Sequence, residues 1–397
     1  MTKKTIRDIE VEGKRVLVRV DFNVPLDMNT GSITDDSRIR AVLPTIRYLV
    51  DHKAKIILCS HLGRPDGKVV EELRMAPIAK RLSRLIKLPV PTASDCIGAD
   101  VEKAVNALKE GDILLLENIR FHSEEETNDT SFAQALAKLA DIYVDDAFGT
   151  AHRTHASTVG TARYLPAVAG FLMEKEMKAL GNLLTNPEHP FGALLGGAKV
   201  SDKISLIQNI LDKVDLLLIG GGMAATFLKA RGYEVGLSLV ETDKQALAQE
   251  LIEATKQKGI SLLLPADVMV TGSINTEATG EIVPITHITK VKRIVDIGPK
   301  TVELFSQQMR QCKTVFWNGP MGVYEIPQFA RGTKAMVELL ASIKATTIVG
   351  GGSTAEIVEE MNLTHKMTHV STGGGASLNF LEGKTLPGIS VLLDKEK

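Results

Sequence analysis

Eight short apolar runs, each ending in glycine or in polar residues able to hold a ligand, restrict the fold of this chain more than any other feature. In the first half they are residues 15–20, 55–59, 113–116 and 142–144; in the second, 191–195, 215–219, 346–349 and 369–371. Such runs have the length of strands and are too short for helices. Helix-like stretches at 39–52, 77–86 and 131–139 separate the runs of the first half. Continuous apolar strands alternating with helices are covered on both faces, so the pattern predicts an α/β fold of doubly wound, Rossmann-like parallel sheets. A chain of 397 residues can bury two such cores.

The two halves differ in chemistry. Residues 1–170 hold 13 of the 17 arginines and 9 of the 33 glycines, whereas residues 171–397 hold 4 arginines and 24 glycines. Between them Met173, Met177, Leu180 and Leu184 recur at i, i+4, i+7 and i+11, with Glu174, Lys175, Glu176 and Lys178 interspersed, which predicts an amphipathic helix. Thr185-Asn186-Pro187 ends it. The expected organisation is a domain over 1–170, a hinge helix over 171–186 and a second domain from 187.

A formal net charge of −1 gives no electrostatic case for nucleic acid or a membrane surface. Charged residues follow Met1 where a signal peptide needs an apolar core, so a cytoplasmic location is expected. Cys59, Cys96 and Cys312 are odd in number and widely spaced, which predicts buried free thiols rather than a disulfide framework or zinc site.

In open parallel sheets a ligand sits beyond the carboxyl ends of the strands. Asp21, Asn23, His61, Arg64, Arg120, His152 and Arg153 all fall there, and Arg38 lies in a nearby loop. Guanidinium groups grip carboxylate and phosphate in a bidentate fork, so this half reads as a receptor for a small polyanion. His52, His122 and His155 read as ordinary surface or capping residues, and Glu124-Glu125-Glu126 as a solvated helix start.

In the second half Gly196-Gly197-Ala198-Lys199-Val200-Ser201-Asp202-Lys203 follows a strand and opens a helix, an arrangement that binds anions through backbone amides. Lys199 and Lys203, four apart, are expected on one helix face. Further glycine triplets end three strands: Gly220-Gly221-Gly222, Gly350-Gly351-Gly352 and Gly373-Gly374-Gly375. Backbone without Cβ can approach a nucleotide closely. Gly383-Lys384-Thr385 lacks the first glycine of a Walker motif, because Leu378 stands there. Gly220, Gly222 and Ala225, with Glu241 downstream, match a dinucleotide fingerprint and keep a nicotinamide-dependent dehydrogenase as an alternative.

Taken together, Val18-Arg19-Val20-Asp21-Phe22-Asn23-Val24-Pro25, Ser60-His61-Leu62-Gly63-Arg64-Pro65, Asp146-Ala147-Phe148-Gly149-Thr150-Ala151-His152-Arg153, the 196–203 segment, Trp317-Asn318-Gly319-Pro320 and Ser371-Thr372-Gly373-Gly374-Gly375-Ala376-Ser377 resemble the phosphoglycerate kinase family over essentially the whole chain. The resemblance implies reversible phosphoryl transfer from 1,3-bisphosphoglycerate to ADP, giving 3-phosphoglycerate and ATP with Mg²⁺. It also implies a monomer whose second domain ends near residue 380, with residues 381–397 returning to the first domain. By position it assigns Asp21, Asn23, Arg38, His61, Leu62, Gly63, Arg64, Arg120, His152 and Arg153 to 3-phosphoglycerate. To ADP/ATP it assigns Lys199, Lys203, Gly298, Asn318, Glu325, Gly350, Gly351, Gly352, Ser353 and Thr354. Arg38 and Lys203 are the expected catalytic cations, with the amides of Gly373 and Gly374 supporting the transition state.

One position departs from the family. The loop normally carries Asp after its glycines, associated with the nucleotide's metal; here Ser353 stands there, a weaker ligand for a hard cation. Ala225 stands where bacterial members often carry Asn. Ser353 alone raises a third reading, a metabolite sensor without turnover.

Overall fold

The computed structural model describes residues 2–27 and 29–395, which form two compact units. Unit 1 comprises the chain up to Lys178 and the segment from Thr385 onward; unit 2 comprises Ala179–Lys384. The boundary falls inside the continuous helix Phe171–Thr185.

Unit 1 is built on a parallel sheet of β1 (Arg15–Val20), β2 (Lys55–Cys59), β3 (Ile113–Leu115), β4 (Ile142–Asp146) and β5 (Ala167–Ala169), in the order β3-β2-β1-β4-β5. Central β1 pairs with both neighbours, Val18 lying opposite Leu58 and Val144. Val16, Val18, Ile56, Leu58 and Val144 pack into one core on one face, and Leu17, Ile57 and Tyr143 are buried on the other. Two-sided burial explains why these strands read as unbroken apolar runs. Each fully buried aliphatic side chain contributes roughly 1.5–3 kcal/mol. The closing segment belongs to this unit: Lys4 N donates to Leu393 O at 2.8 Å, Leu393 N to Ala167 O at 2.9 Å, and Lys3 pairs with Asp394 at 2.9 Å.

Unit 2 has a six-stranded parallel sheet of β6 (Phe191–Leu195), β7 (Leu216–Ile219), β8 (Ser261–Leu263), β12 (Thr314–Asn318), β13 (Thr346–Gly350) and β14 (His369–Val370), in the order β14-β13-β12-β6-β7-β8. A second, antiparallel sheet of β9 (Asp267–Thr271), β10 (Glu281–Pro284) and β11 (Arg293–Ile297), ordered β10-β9-β11, stands beside the expected pattern. β10 is largely exposed and so lacks an apolar run.

The helix Phe171–Thr185 buries Met173, Glu176, Leu180 and Leu183, while Met177 and Leu184 of the expected stripe are only partly buried. Its start is held from a distant strand, since Asp146 Oδ1 accepts from Leu172 N at 2.8 Å and Met173 N at 3.1 Å. Among the described residues no helix is long and apolar enough to cross a membrane. All three cysteines are free and buried.

Candidate active site

In unit 1 the strand ends converge on His61. It is buried, and burial followed by the charges of Arg19, Arg120, Arg153 and Arg38 holds its pKa well below the usual imidazole value. The side chain is therefore neutral at physiological pH. Arg19 Nη2 lies 3.2 Å from His61 Nδ1; because a guanidinium only donates, Nδ1 accepts and the ring proton sits on Nε2. Arg19 is itself buried, its Nε donating to Ser157 Oγ at 2.8 Å. Ser157 donates in turn to Glu125 through its Oγ at 2.7 Å and its N at 2.8 Å.

Around this centre Arg38 pairs with Asp21 at 2.5 Å, and Asn23 Oδ1 accepts from Gly63 N at 2.8 Å. Arg120 Nη1 donates to Gly63 O at 2.8 Å and its Nε pairs with Glu126 at 3.2 Å. His152 is pulled down by burial and by Arg153 beside it, and its Nδ1 is buried without a hydrogen-bond partner. Arg64 is exposed on the loop after β2. Leu62 departs from the expected set: its side chain belongs to the apolar core, and its backbone pairs in both directions with Asn118.

Three residues escaped sequence reasoning. Arg19 reads as part of an apolar strand, so nothing local marks it as a member of the cation cluster. Glu125 is fully buried, not solvated, because Ser157 and its neighbours enclose it. His155, expected at the surface, is pushed down to about 4 by burial and then by Arg153, Arg120 and Arg19, and so belongs to the same cluster.

In unit 2 Gly196, Gly220, Asn318, Gly350 and Ser371 stand at or just past the carboxyl ends of β6, β7, β12, β13 and β14. Asn318 is opposite Leu195 on one side and Gly350 on the other. Lys203 is buried, its ammonium donates to Asn318 Oδ1, and burial draws its pKa below the usual lysine value. That bond leaves Asn318 Nδ2 buried and unpaired, facing Gly351, whose Cβ would lie 2.9 Å away. An anion's oxygen would satisfy that donor. Lys199 is exposed, and both lysines precede the helix Ile204–Ile210, so they do not share a helix face as expected.

The glycines divide into two kinds. A Cβ on Gly319 would meet Gly196 O at 2.3 Å and one on Gly221 would meet Gly197 N at 2.7 Å, so these loops pack backbone against backbone. Gly352 and Gly374 instead face open space, where a ligand could approach. Gly298 backs onto the Asp267 carboxylate, and Gly373 N is taken by Ser371 Oγ at 3.1 Å. Thr354 Oγ1 accepts from Gly319 N at 2.8 Å and ties two loops together, while Glu325 is exposed.

Mg²⁺ was expected at the 350–354 loop. Its candidate ligand there is the exposed hydroxyl of Ser353, which is bonded to Tyr324. Among the described residues no cluster of three His, Cys, Asp or Glu ligands falls at this loop. A hard dication takes several oxygens, preferably charged, so these side chains do not form a protein-held magnesium site. The dinucleotide fingerprint also fails. The strand after β7 is β8, beginning at Ser261, and Glu241 is no strand-end acid but accepts from Ser201 N at 3.0 Å.

A family model for phosphoglycerate kinase matches residues 6–384. Curated phosphoglycerate kinases of Moorella thermoacetica and Dictyoglomus turgidum are 55% and 57% identical, over 100% of this chain and of theirs. The chain belongs to the phosphoglycerate kinase family. Solved phosphoglycerate kinases agree in fold: that of Coxiella burnetii has a TM-score of 0.88 at 43% identity, and that of Pyrococcus horikoshii OT3 0.84 at 34%, each covering 98% of both chains. Members of this family are phosphotransferases, and the dehydrogenase reading is set aside.

Proposed function

We propose that the protein is an active phosphoglycerate kinase, transferring a phosphoryl group reversibly between 1,3-bisphosphoglycerate and ADP to give 3-phosphoglycerate and ATP. The observation that carries this reading is the buried His61 just past β2, which Arg19 contacts at 3.2 Å and on which the charges of Arg120, Arg153 and Arg38 also act. Several guanidinium groups converging on one buried donor suit a small acid bearing both carboxylate and phosphate. In this reading Asp21, Asn23, His61, Gly63, Arg64, Arg120, His152 and Arg153 hold 3-phosphoglycerate. Lys199, Asn318, Gly298, Glu325 and the 350–354 loop hold the nucleotide.

The acceptor carboxylate is ionised at neutral pH, so no general base is required. Catalysis reduces to aligning two anions and neutralising charge on the group in flight. Arg38, oriented by Asp21, and Lys203, oriented by Asn318, are the proposed cations, with the Gly374 amide as a supporting donor. The nucleotide's own phosphates, rather than these side chains, would hold Mg²⁺, which would supply charge neutralisation there. Closure about the helix Phe171–Thr185 is the proposed route by which the two ligands meet and water is excluded. The protein is read as a cytoplasmic monomer.

The test is ATP-dependent phosphorylation of 3-phosphoglycerate, coupled to a dehydrogenase, with Arg38→Ala alongside. Turnover in the parent and a loss of about a hundredfold or more in Arg38→Ala is the expected result. A folded, ADP-binding protein without turnover at saturating Mg²⁺ would overturn it in favour of a metabolite sensor.

A further inference from the structure

Three ligand-bearing side chains of unit 1 take no part in the anion site. Asp95 and Cys96 lie on the loop that follows the bridge between Thr92 and Leu115, and His122 follows the turn Ile119–Phe121. One ligand atom from each lies within 4.8 Å of the other two. His122 Nε2 is 2.7 Å from Asp95 Oδ1, and the buried Cys96 donates its S–H to Glu117 O at 3.1 Å.

We propose that Asp95, Cys96 and His122 form a binding site for a zinc-like divalent ion, with water in the fourth position. A thiolate, an imidazole and a carboxylate together suit a borderline-soft ion and disfavour Mg²⁺. Tetrahedral bonds of about 2.3 Å to sulfur and about 2.0 Å to nitrogen and oxygen put ligand atoms roughly 3.3–3.6 Å apart, inside the observed spread. The His122–Asp95 pair must open by about half an ångström to reach that spacing. Both side chains are partly exposed, so they have room to move.

The same three residues invite comparison with a Cys-His-Asp nucleophile. Cys96 is buried and turns its S–H to Glu117 O rather than to His122, whose Nε2 is engaged with Asp95, so no base is set against the thiol as attack requires. The Asp95 carboxylate beside them instead favours a cation. As the metal–sulfur bond forms, the thiol proton passes to water and the S–H bond to Glu117 O is given up. Because His122 sits two residues from Arg120, the ion would tether the turn that carries this arginine.

Cobalt(II) titration of the metal-stripped full-length protein tests the site without reference to turnover. Expected are a near-ultraviolet sulfur-to-cobalt charge-transfer band saturating at a single ion, its loss in Cys96→Ser, and about tenfold or greater weakening in His122→Ala, both variants folded by circular dichroism. His122 is partly exposed, so that variant keeps the test decisive should Cys96→Ser misfold. No charge-transfer band, or a band unaffected by either substitution, would overturn the proposal.

Discussion

A lysine ammonium withdrawn from water needs a fixed partner, and Lys203 has the amide oxygen of Asn318. The charge is thereby aimed and partly desolvated, which strengthens its action on a phosphoryl group. Lys203→Met should lower kcat by about a hundredfold or more while changing nucleotide affinity much less; steady-state kinetics beside a binding titration would separate the two. Ser353 argues in the other direction. A carboxylate there would give a nucleotide-borne Mg²⁺ a charged ligand, so Ser353→Asp should lower the Mg²⁺ concentration for half-maximal rate by about threefold or more. An unchanged Mg²⁺ titration curve would remove that role.

The helix Phe171–Thr185 begins with amides held from elsewhere in the chain: Phe171 N donates to Thr45 Oγ1 at 2.9 Å, and the next two donate to the Asp146 side chain at the end of β4. Gly170, immediately before it, leaves room for that carboxylate, since a Cβ there would lie 2.2 Å from Asp146 Oδ1. Gly170→Ala should therefore cost about 2 kcal/mol, by overpacking against a buried group, and lower the urea midpoint of unfolding. An unchanged midpoint would mean that Asp146 can move aside. The glycine loops of unit 2 obey the same geometry, because parallel strand ends about 4.8 Å apart bring their following turns into backbone contact.

Across the whole molecule, buried acids and buried imidazoles set opposing pH dependences. Burial raises Asp145, Asp146 and Asp296 to about 7 from 3.8, so between those values the native chain keeps protons that the unfolded chain has lost, and stability falls as pH rises. His155, lowered to about 4 from 6.5, does the reverse: the unfolded chain binds the extra proton, and stability is lost as pH falls through that window. The total profile therefore hides both contributions. Asp296 can be isolated because its oxygens accept from Ile297 N at 2.9 Å and Gly332 N at 2.7 Å, and Asn keeps one acceptor. Relative to the parent, Asp296→Asn should gain on the order of 2 kcal/mol between about pH 5 and about pH 8, read from urea unfolding at both ends. A pH-independent difference between the two proteins would refute the assignment.

Strand length, the glycine-ended turns and the arginine-rich strand ends were legible because each is local: an apolar run names a buried strand, and topology then places whatever follows it. Asp21, His61, Arg120 and Arg153 could be read in this way. The sequence could not reveal that Arg19 lies beneath His61, since its partner Ser157 is 138 residues away. Nor could it reveal that Glu125, inside an acidic run, is buried against that serine 32 residues on. The exposed β10 strand left no apolar run to find, although β9 beside it is buried over Val268-Met269-Val270. Local composition therefore determined the elements and the chemistry at their ends. Tertiary packing alone decided which charged side chains were enclosed, because desolvation depends on neighbours brought from elsewhere in the chain.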